Sequence, residues 1–208
     1  MNRITIVNYG LGNLRSIGKA IEYIGEKALI TNSQKDILKA ERLILPGIGS
    51  YKKAMDNIHK SHLFEPLNEA VLINKVPILG ICLGMHIFSD YGEEHGGSTG
   101  FGWIPGKVIK FNLNNKLHLR LPHIGFNTVH FKEKNKLLSK GISQSLDYYF
   151  VHSYHFIPKD DNHVYAVTNY GCNFVSAVRN QNIYGTQFHP EKSQGNGLIL
   201  LKNFCKEI

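Results

Sequence analysis

The residues of this chain best suited to chemistry are a cysteine, a histidine and a carboxylate carried by two short loops. Cys82 stands in 80-GICLG-84, after an apolar run and before helix-forming residues. A strand followed by G-x-C-x-G and a helix resembles the sharp turn that exposes a nucleophile above an α/β sheet, with sulfur in place of oxygen. The glycines leave room where side chains would clash, and the helix start presents free N–H groups and the positive end of its dipole, which favour a thiolate. A thiol nucleophile needs a base, and the base needs a group to hold it. His189 ends an apolar run and Glu191 follows two residues on, on the same side if the chain is extended, with Pro190 limiting the motion between them. Of eleven histidines it is the one with both a carboxylate at i+2 and a strand leading into it. Cys82, His189 and Glu191 then make a triad in which the imidazole moves protons and the carboxylate fixes its tautomer. A third loop, 46-PGIGS-50, offers the backbone N–H groups of Ile48 and Gly49, which with that of Leu83 form an oxyanion hole. A buried free cysteine, a surface His-Pro turn and a plain strand-to-helix turn each explain one loop alone. Only their coincidence points to a catalytic site.

The three loops meet only if the elements around them converge. The first half alternates β-branched runs with helix-like stretches. 4-ITIVNYG-10, 28-ALIT-31, 42-RLILPG-47 and 76-VPILGI-81 read as strands. 13-NLRSIGKAIEYIG-25 places Leu14, Ile17, Ile21 and Ile24 at helical spacing with Gly25 to end it, and more helix falls between 50 and 74. This alternation predicts a parallel sheet covered by helices on both faces. Beyond about residue 103, 107-KVIKF-111, 126-FNTVHF-131, 148-YYFVHSYHF-156, 164-VYAVTNY-170, 174-FVSAV-178 and 183-IYGTQFH-189 read as strands joined by short turns. The expected fold is α/β: an open mixed, mainly parallel sheet with flanking helices and extra antiparallel strands in the second half, spanning 1–208 as a single domain. In such sheets ligands bind beyond the carboxyl ends of strands, where all three loops fall.

Composition narrows the possible partners. With 208 residues, 42% hydrophobic and 19% charged, the chain has the balance of a soluble globular protein. No apolar run is long enough to span a membrane, and 1-MNRITIVNYG-10 does not read as a secretion signal. Three cysteines without C-x-x-C spacing argue against a disulfide framework or a zinc site and for a reducing cytoplasm. The net charge is +8, but the basic residues are scattered. The densest run, 132-KEKNK-136, reads as an exposed turn without stacking aromatics, so no nucleic-acid partner is expected. 10-GLGNLR-15 starts like a dinucleotide fingerprint but has Arg15 at the third glycine position. The histidines of 152-HSYH-155 lack a cysteine or carboxylate companion. Neither a cofactor nor a metal is expected.

GICLG with a distant HPE resembles the class I, triad-type glutamine amidotransferases. The segments 8-NYGLGNLRS-16, 46-PGIGSY-51, 122-PHIGFN-127, 149-YFVHSY-154 and 185-GTQFHPEKS-193 narrow the likeness to the glutaminase subunit of imidazole glycerol phosphate synthase. This resemblance implies hydrolysis of L-glutamine to glutamate and ammonia, with glutamine held by Gly49, His86, Glu94 and the backbone around Val151, His152 and Ser153. Glu94 suits the α-ammonium of glutamine, and His86 can donate a hydrogen bond to the carboxamide. The resemblance further implies a heterodimer with a (β/α)8-barrel cyclase. That partner receives the ammonia under cover and makes imidazole glycerol phosphate and aminoimidazole carboxamide ribotide in histidine biosynthesis. Residues matching the interface are Asn13, Pro122, His123, Gly125, Phe126, Asn127 and Lys192. Three positions depart from the pattern: His86 stands for a usual Gln, Phe126 for a usual Trp and Asn8 for a common Asp. The same motifs fit a paralogous subunit feeding another acceptor, such as a sugar in surface-polysaccharide synthesis, and the triad alone fits an independent cysteine hydrolase acting on γ-glutamyl bonds.

Overall fold

Alternate side chains of a strand point to opposite faces, and in this chain that geometry divides the core in two. The computed structural model describes residues 3–113, 119–132, 137–143 and 145–207. In β1 (Arg3–Val7), Ile4 and Ile6 join one apolar cluster and Val7 the other. β2 (Lys27–Thr31) is the outer strand beside it. In β3 (Arg42–Leu45), Leu43 and Leu45 point one way and Ile44 the other; in β4 (Ile78–Ile81), Ile78 opposes Leu79 and Ile81. Strands buried on both faces read as continuous apolar runs, and these do.

Helices cover both faces. α1 (Leu14–Tyr23) buries Ile17, Ala20 and Ile21. It ends as expected at Gly25, which takes φ 87° and donates its N–H to the Glu22 carbonyl while Glu26 reaches back to Ile21. α2 (Gln34–Leu38), α3 (Tyr51–Lys60), α4 (Phe64–Asn68) and the short α5 (Leu83–His86) pack against the opposite cluster. α6 (Gln194–Glu207), a helix that the sequence pattern does not predict, buries Leu200, Leu201, Phe204 and Cys205 on the α1 side.

The remaining strands are β5 (Tyr91–Gly92), β6 (Ser98–Thr99), β7 (Gly106–Lys110), β8 (His123–Phe131), β9 (Ser145–His152), β10 (Tyr154–Pro158), β11 (Val164–Asn169), β12 (Asn173–Asn180) and β13 (Ile183–Thr186). Among the described residues, nine strands form the main sheet in the order β2-β1-β3-β4-β13-β12-β11-β8-β9. The first five run parallel and the last four extend the sheet antiparallel, the mixed α/β architecture expected. β10, β7, β5 and β6 form a second, smaller sheet. The apolar run 148–156 is therefore two strands. It breaks at Ser153, whose carbonyl accepts from the Phe111 N–H, so β9 belongs to one sheet and β10 to the other. Of the basic run at 132–136, residues 133–136 lie outside the described residues. Among the described residues no helix is long and apolar enough to cross a membrane.

Candidate active site

β4 delivers Cys82 to a turn that most side chains avoid. Cys82 has φ 54° and ψ −107°, a left-handed conformation that costs a non-glycine residue about 1–3 kcal/mol. Its N–H donates to the Thr186 carbonyl at 2.7 Å, which ties the turn to the end of β13. The glycines on either side do not supply the positive φ. They supply space: a Cβ on Gly80 would stand 2.6 Å from the Phe88 ring, and one on Gly84 would run into the Leu45 carbonyl oxygen. Leu83 opens α5, so its N–H is among those a helix start leaves without an intrahelical acceptor. Gly47 packs against this turn too closely for a side chain, since a Cβ there would be 2.6 Å from that of Leu83. The same loop is anchored by a residue given no role from sequence, Tyr9. Its hydroxyl donates to the Pro46 carbonyl at 2.6 Å, and burial, reinforced by the neighbouring Cys82 charge, raises its pKa and keeps it a neutral donor. Ile48 and Gly49 lie past this anchor, exposed, with Gly49 at φ 107°. Asn8 accepts from the Gly10 N–H at 3.1 Å through its amide oxygen, a bond that an Asp there would also make.

His189 lies three residues beyond the last residue of β13, and Glu191 sits in a tight 3-10 turn (Pro190–Lys192) rather than on an extended chain. The expected pairing arises all the same: Nδ1 of His189 is 2.9 Å from Oε1 of Glu191, with both side chains buried. The turn is held from two sides. Phe188 is fully buried against Tyr148 at 4.2 Å between ring centres, burial that contributes about 1.5–3 kcal/mol. The His189 N–H donates to the Tyr149 carbonyl, and the Ser193 hydroxyl donates to the His189 carbonyl at 2.6 Å while accepting from the Tyr149 N–H. These bonds use the free edge of β9, which would otherwise expose unpaired backbone groups. Ser193 and Tyr149 lie inside motifs that carry the family resemblance, yet their positioning role escapes a sequence reading, because main-chain bonds leave no trace in spacing. Burial opposes the charge of His189, but the Cys82 sulfur and the Glu191 carboxylate outweigh it and push the imidazole up to about 10. Nε2 of His189 is buried and makes no bond to another side chain among the described residues, and the Cys82 sulfur is the group that acts on it.

Cys82 opens into a cleft of about 300 Å³ lined by Ile48, Gly49, Leu83, His86, Glu94, Pro122, Val151, His152, Ser153 and Tyr154. Every residue expected to hold substrate is on that wall. Glu94 accepts from the Tyr51 N–H at the start of α3, which fixes its carboxylate at the rim. His86 also has a partner within the protein. Its Nε2 is 2.6 Å from Oε1 of Gln187, so that N–H is directed at a protein amide, and burial pushes the imidazole down to about 4. Gln187, also unassigned from sequence, brings its Nε2 within 3.6 Å of the Cys82 sulfur.

The residues expected at a partner interface divide by the alternation of β8. Phe126 is half exposed, and so is Ile124, which was not among them. His123 is buried at 2% exposure; it bonds His152 on the neighbouring strand at 3.0 Å and Asn127 on its own strand at 3.2 Å. Asn127 also bonds the Asn169 carbonyl. Gly125, at φ 130°, lies between them, and Pro122 follows a cis peptide bond at the cleft. Lys192 is exposed, with Nζ 5.5 Å from the centre of the Tyr149 ring, which in turn meets Phe126 edge-on at 5.7 Å. Asn13 stands at the residue before α1, where its side chain accepts from the Ser16 hydroxyl rather than from a helix N–H.

A family model described as glutamine amidotransferase class-I matches residues 5–208. Imidazole glycerol phosphate synthase subunit HisH 2 of Methanococcus maripaludis is 46% identical over 204 residues, which cover 98% of this chain and 99% of that protein. Subunit HisH 1 of Campylobacter jejuni is 45% identical over 203 residues, with 98% and 99% covered. Among solved structures, a glutamine amidotransferase matches with a TM-score of 0.74 at 15% identity, over 97% of this chain and 96% of that one. PurLQS of Thermotoga maritima matches at 0.72 and 17% identity, over 98% of each chain. At such identities the structures speak for the fold, and the sequence matches speak for kinship along nearly the whole length. The chain therefore belongs to the class I glutamine amidotransferases.

Proposed function

We propose that this chain is the glutaminase subunit of an imidazole glycerol phosphate synthase, acting in the cytoplasm as a single domain over 1–208. The observation that supports this most directly is the juxtaposition at the cleft floor: a cysteine on a strained turn beside a buried His189–Glu191 pair whose imidazole is biased towards its charged form. In the proposed reaction the α-ammonium of glutamine lies against Glu94 and its carboxamide over Cys82. The thiolate attacks the carboxamide carbon, and the oxyanion is taken by the N–H groups of Leu83 and the 48–49 backbone. His189, as imidazolium, gives its proton to the departing ammonia. The neutral imidazole then removes a proton from water, which attacks the thioester. Glutamate leaves and the thiolate–imidazolium pair is restored. The Glu191 carboxylate holds the imidazole in place throughout.

Ammonia released into bulk water is protonated and loses its nucleophilicity, so the proposal includes a covered route to a (β/α)8-barrel cyclase docked near Phe126 and Lys192. The relatives are named as synthase subunits, which supports a partner of that kind. The test is glutaminase turnover of the purified chain alone, with the barrel, and with the barrel and its acceptor. The expected result is strong hydrolysis only in the assembled, acceptor-bound complex. Full turnover by the chain alone would indicate an independent cysteine hydrolase. Failure to restore growth of a histidine auxotroph, despite soluble co-expression with a cognate barrel, would indicate a paralogous subunit serving another acceptor.

A further inference from the structure

We infer that His86 is a positioning residue that acts on Cys82 through Gln187, rather than a donor to the substrate. The inference rests on the reading of Cys82 as the nucleophile. Gln187 is fully buried, and its backbone N–H is held by the Ser176 carbonyl at 2.9 Å. Its side chain touches two groups: Oε1 is 2.6 Å from Nε2 of His86, and Nε2 is 3.6 Å from the sulfur. An amide oxygen only accepts, so Nε2 of His86 must carry the proton and donate it. That bond sets the direction of the carboxamide. Reversing the amide would turn its oxygen towards the sulfur and leave the electron-rich thiolate facing an acceptor. In the orientation that His86 enforces, an N–H points at the sulfur and favours its charged form.

The same bond explains how a histidine stands where the family pattern has an amide. A glutamine at position 86 has an N–H to offer Gln187, as the imidazole does, whereas an aliphatic side chain has none. The other titratable groups near this chain of bonds are His152 and His155 beside His86, and Tyr9 and His189 beside Cys82.

The test follows alkylation of Cys82 by iodoacetamide as a function of pH, read on the Cys82 peptide by mass spectrometry. Purified wild type is compared with His86→Leu, His86→Gln, Gln187→Met and the His86→Leu/Gln187→Met double variant. The expected result is an upward shift of the midpoint by about one unit in His86→Leu and in Gln187→Met. The double variant should move no further than the larger single shift, as for two members of one path. His86→Gln should restore the wild-type midpoint. In the partner-bound enzyme, His86→Leu should lower kcat with KM for glutamine little changed. A wild-type midpoint in His86→Leu, with its defect confined to a higher KM, would overturn the inference and return His86 to the substrate. If His86→Leu does not fold, an unshifted midpoint in Gln187→Met overturns it equally. Failure of the underlying reading is separate: in that case Cys82→Ala would still hydrolyse glutamine, whatever the alkylation midpoints show.

Discussion

Two groups of histidines share this interior, and the same burial leads to opposite charge states according to what stands beside them. His189 faces the Cys82 sulfur and the Glu191 carboxylate, and its pKa rises in spite of burial. Glu191→Gln keeps the shape and a hydrogen-bonding oxygen but removes the charge. We expect kcat for glutamine in the assembled enzyme to fall by about 10²–10⁴-fold with little change in KM, as steady-state kinetics would show; a loss below about threefold would exclude Glu191 from the triad. Cys82→Ala should abolish glutamine-dependent synthesis while leaving ammonia-dependent synthesis by the partner intact. His86 and His123 have no such counter-charge and are driven down to about 4, and burial also lowers His152 and His155. Between about pH 4 and 6.5 the unfolded chain binds protons that the folded chain refuses, so their contribution is intact above about 6.5 and lost as pH falls. His189 has the reverse sign: its contribution is complete below about pH 6.5 and is withdrawn as pH climbs towards 10. Thermal melts from pH 7.5 to 4.5 should therefore decline, and His123→Gln should flatten the decline. An unchanged slope in that variant would show that His123 contributes nothing to it.

The elements that carry these residues show what a sequence can and cannot display. The glycine frame around Cys82 was legible as a need for room, because only close packing explains a glycine at both positions. The strain was legible too, through the likeness to a sharp nucleophile turn, and it falls on the cysteine itself rather than on the glycines. That strain gives a paired prediction. Cys82→Gly should be more stable than Cys82→Ala by about 1 kcal/mol, because glycine adopts this conformation freely. Gly84→Ala should cost about 1–3 kcal/mol, since its methyl meets the Leu45 carbonyl. Urea denaturation measures both, and Gly84→Ala melting with the wild type would refute the packing argument. The parallel strands were legible because strands buried on both faces are apolar throughout. The second sheet was not: β5 and β6 have two residues each, too few for any period, and the switch of sheets at Ser153 occurs within one apolar run. α6 is not legible in the spacing because Gly195 and Gly197 in its first turn weaken the helical signal. The i+2 spacing predicts the pairing of His189 with Glu191 on an extended chain, whereas a 3-10 turn brings the two together.

At the scale of the molecule, the surface beside the cleft is organised by the edge of the main sheet. β9 would end that sheet with free backbone groups, but at Tyr149 the N–H and carbonyl are taken by Ser193 and His189. One residue thus holds the imidazole from its backbone, while its ring lies between Lys192 and Phe126 on the surface. On β8 the alternation leaves Ile124 and Phe126 exposed side by side, 59% and 50%, on a chain whose net charge is +8. Exposed apolar side chains two apart on a strand, rimmed by a lysine, fit the centre of a docking surface better than an isolated accident of composition. If the barrel docks there, Phe126→Ala should weaken its binding by about 2 kcal/mol, roughly thirtyfold in Kd, because a buried aromatic anchor is a typical hot spot. Lys192→Ala should weaken binding less, and its effect should fade with added salt, because a rim charge is screened. Titration calorimetry of the two subunits at two ionic strengths separates these terms. The Cys82 alkylation midpoint of the isolated Phe126→Ala chain should match wild type, since the Phe126 ring packs on the Tyr149 ring, whereas the His189 turn is held by the Tyr149 backbone N–H and carbonyl. A Kd within twofold of wild type for Phe126→Ala would place the partner on another face.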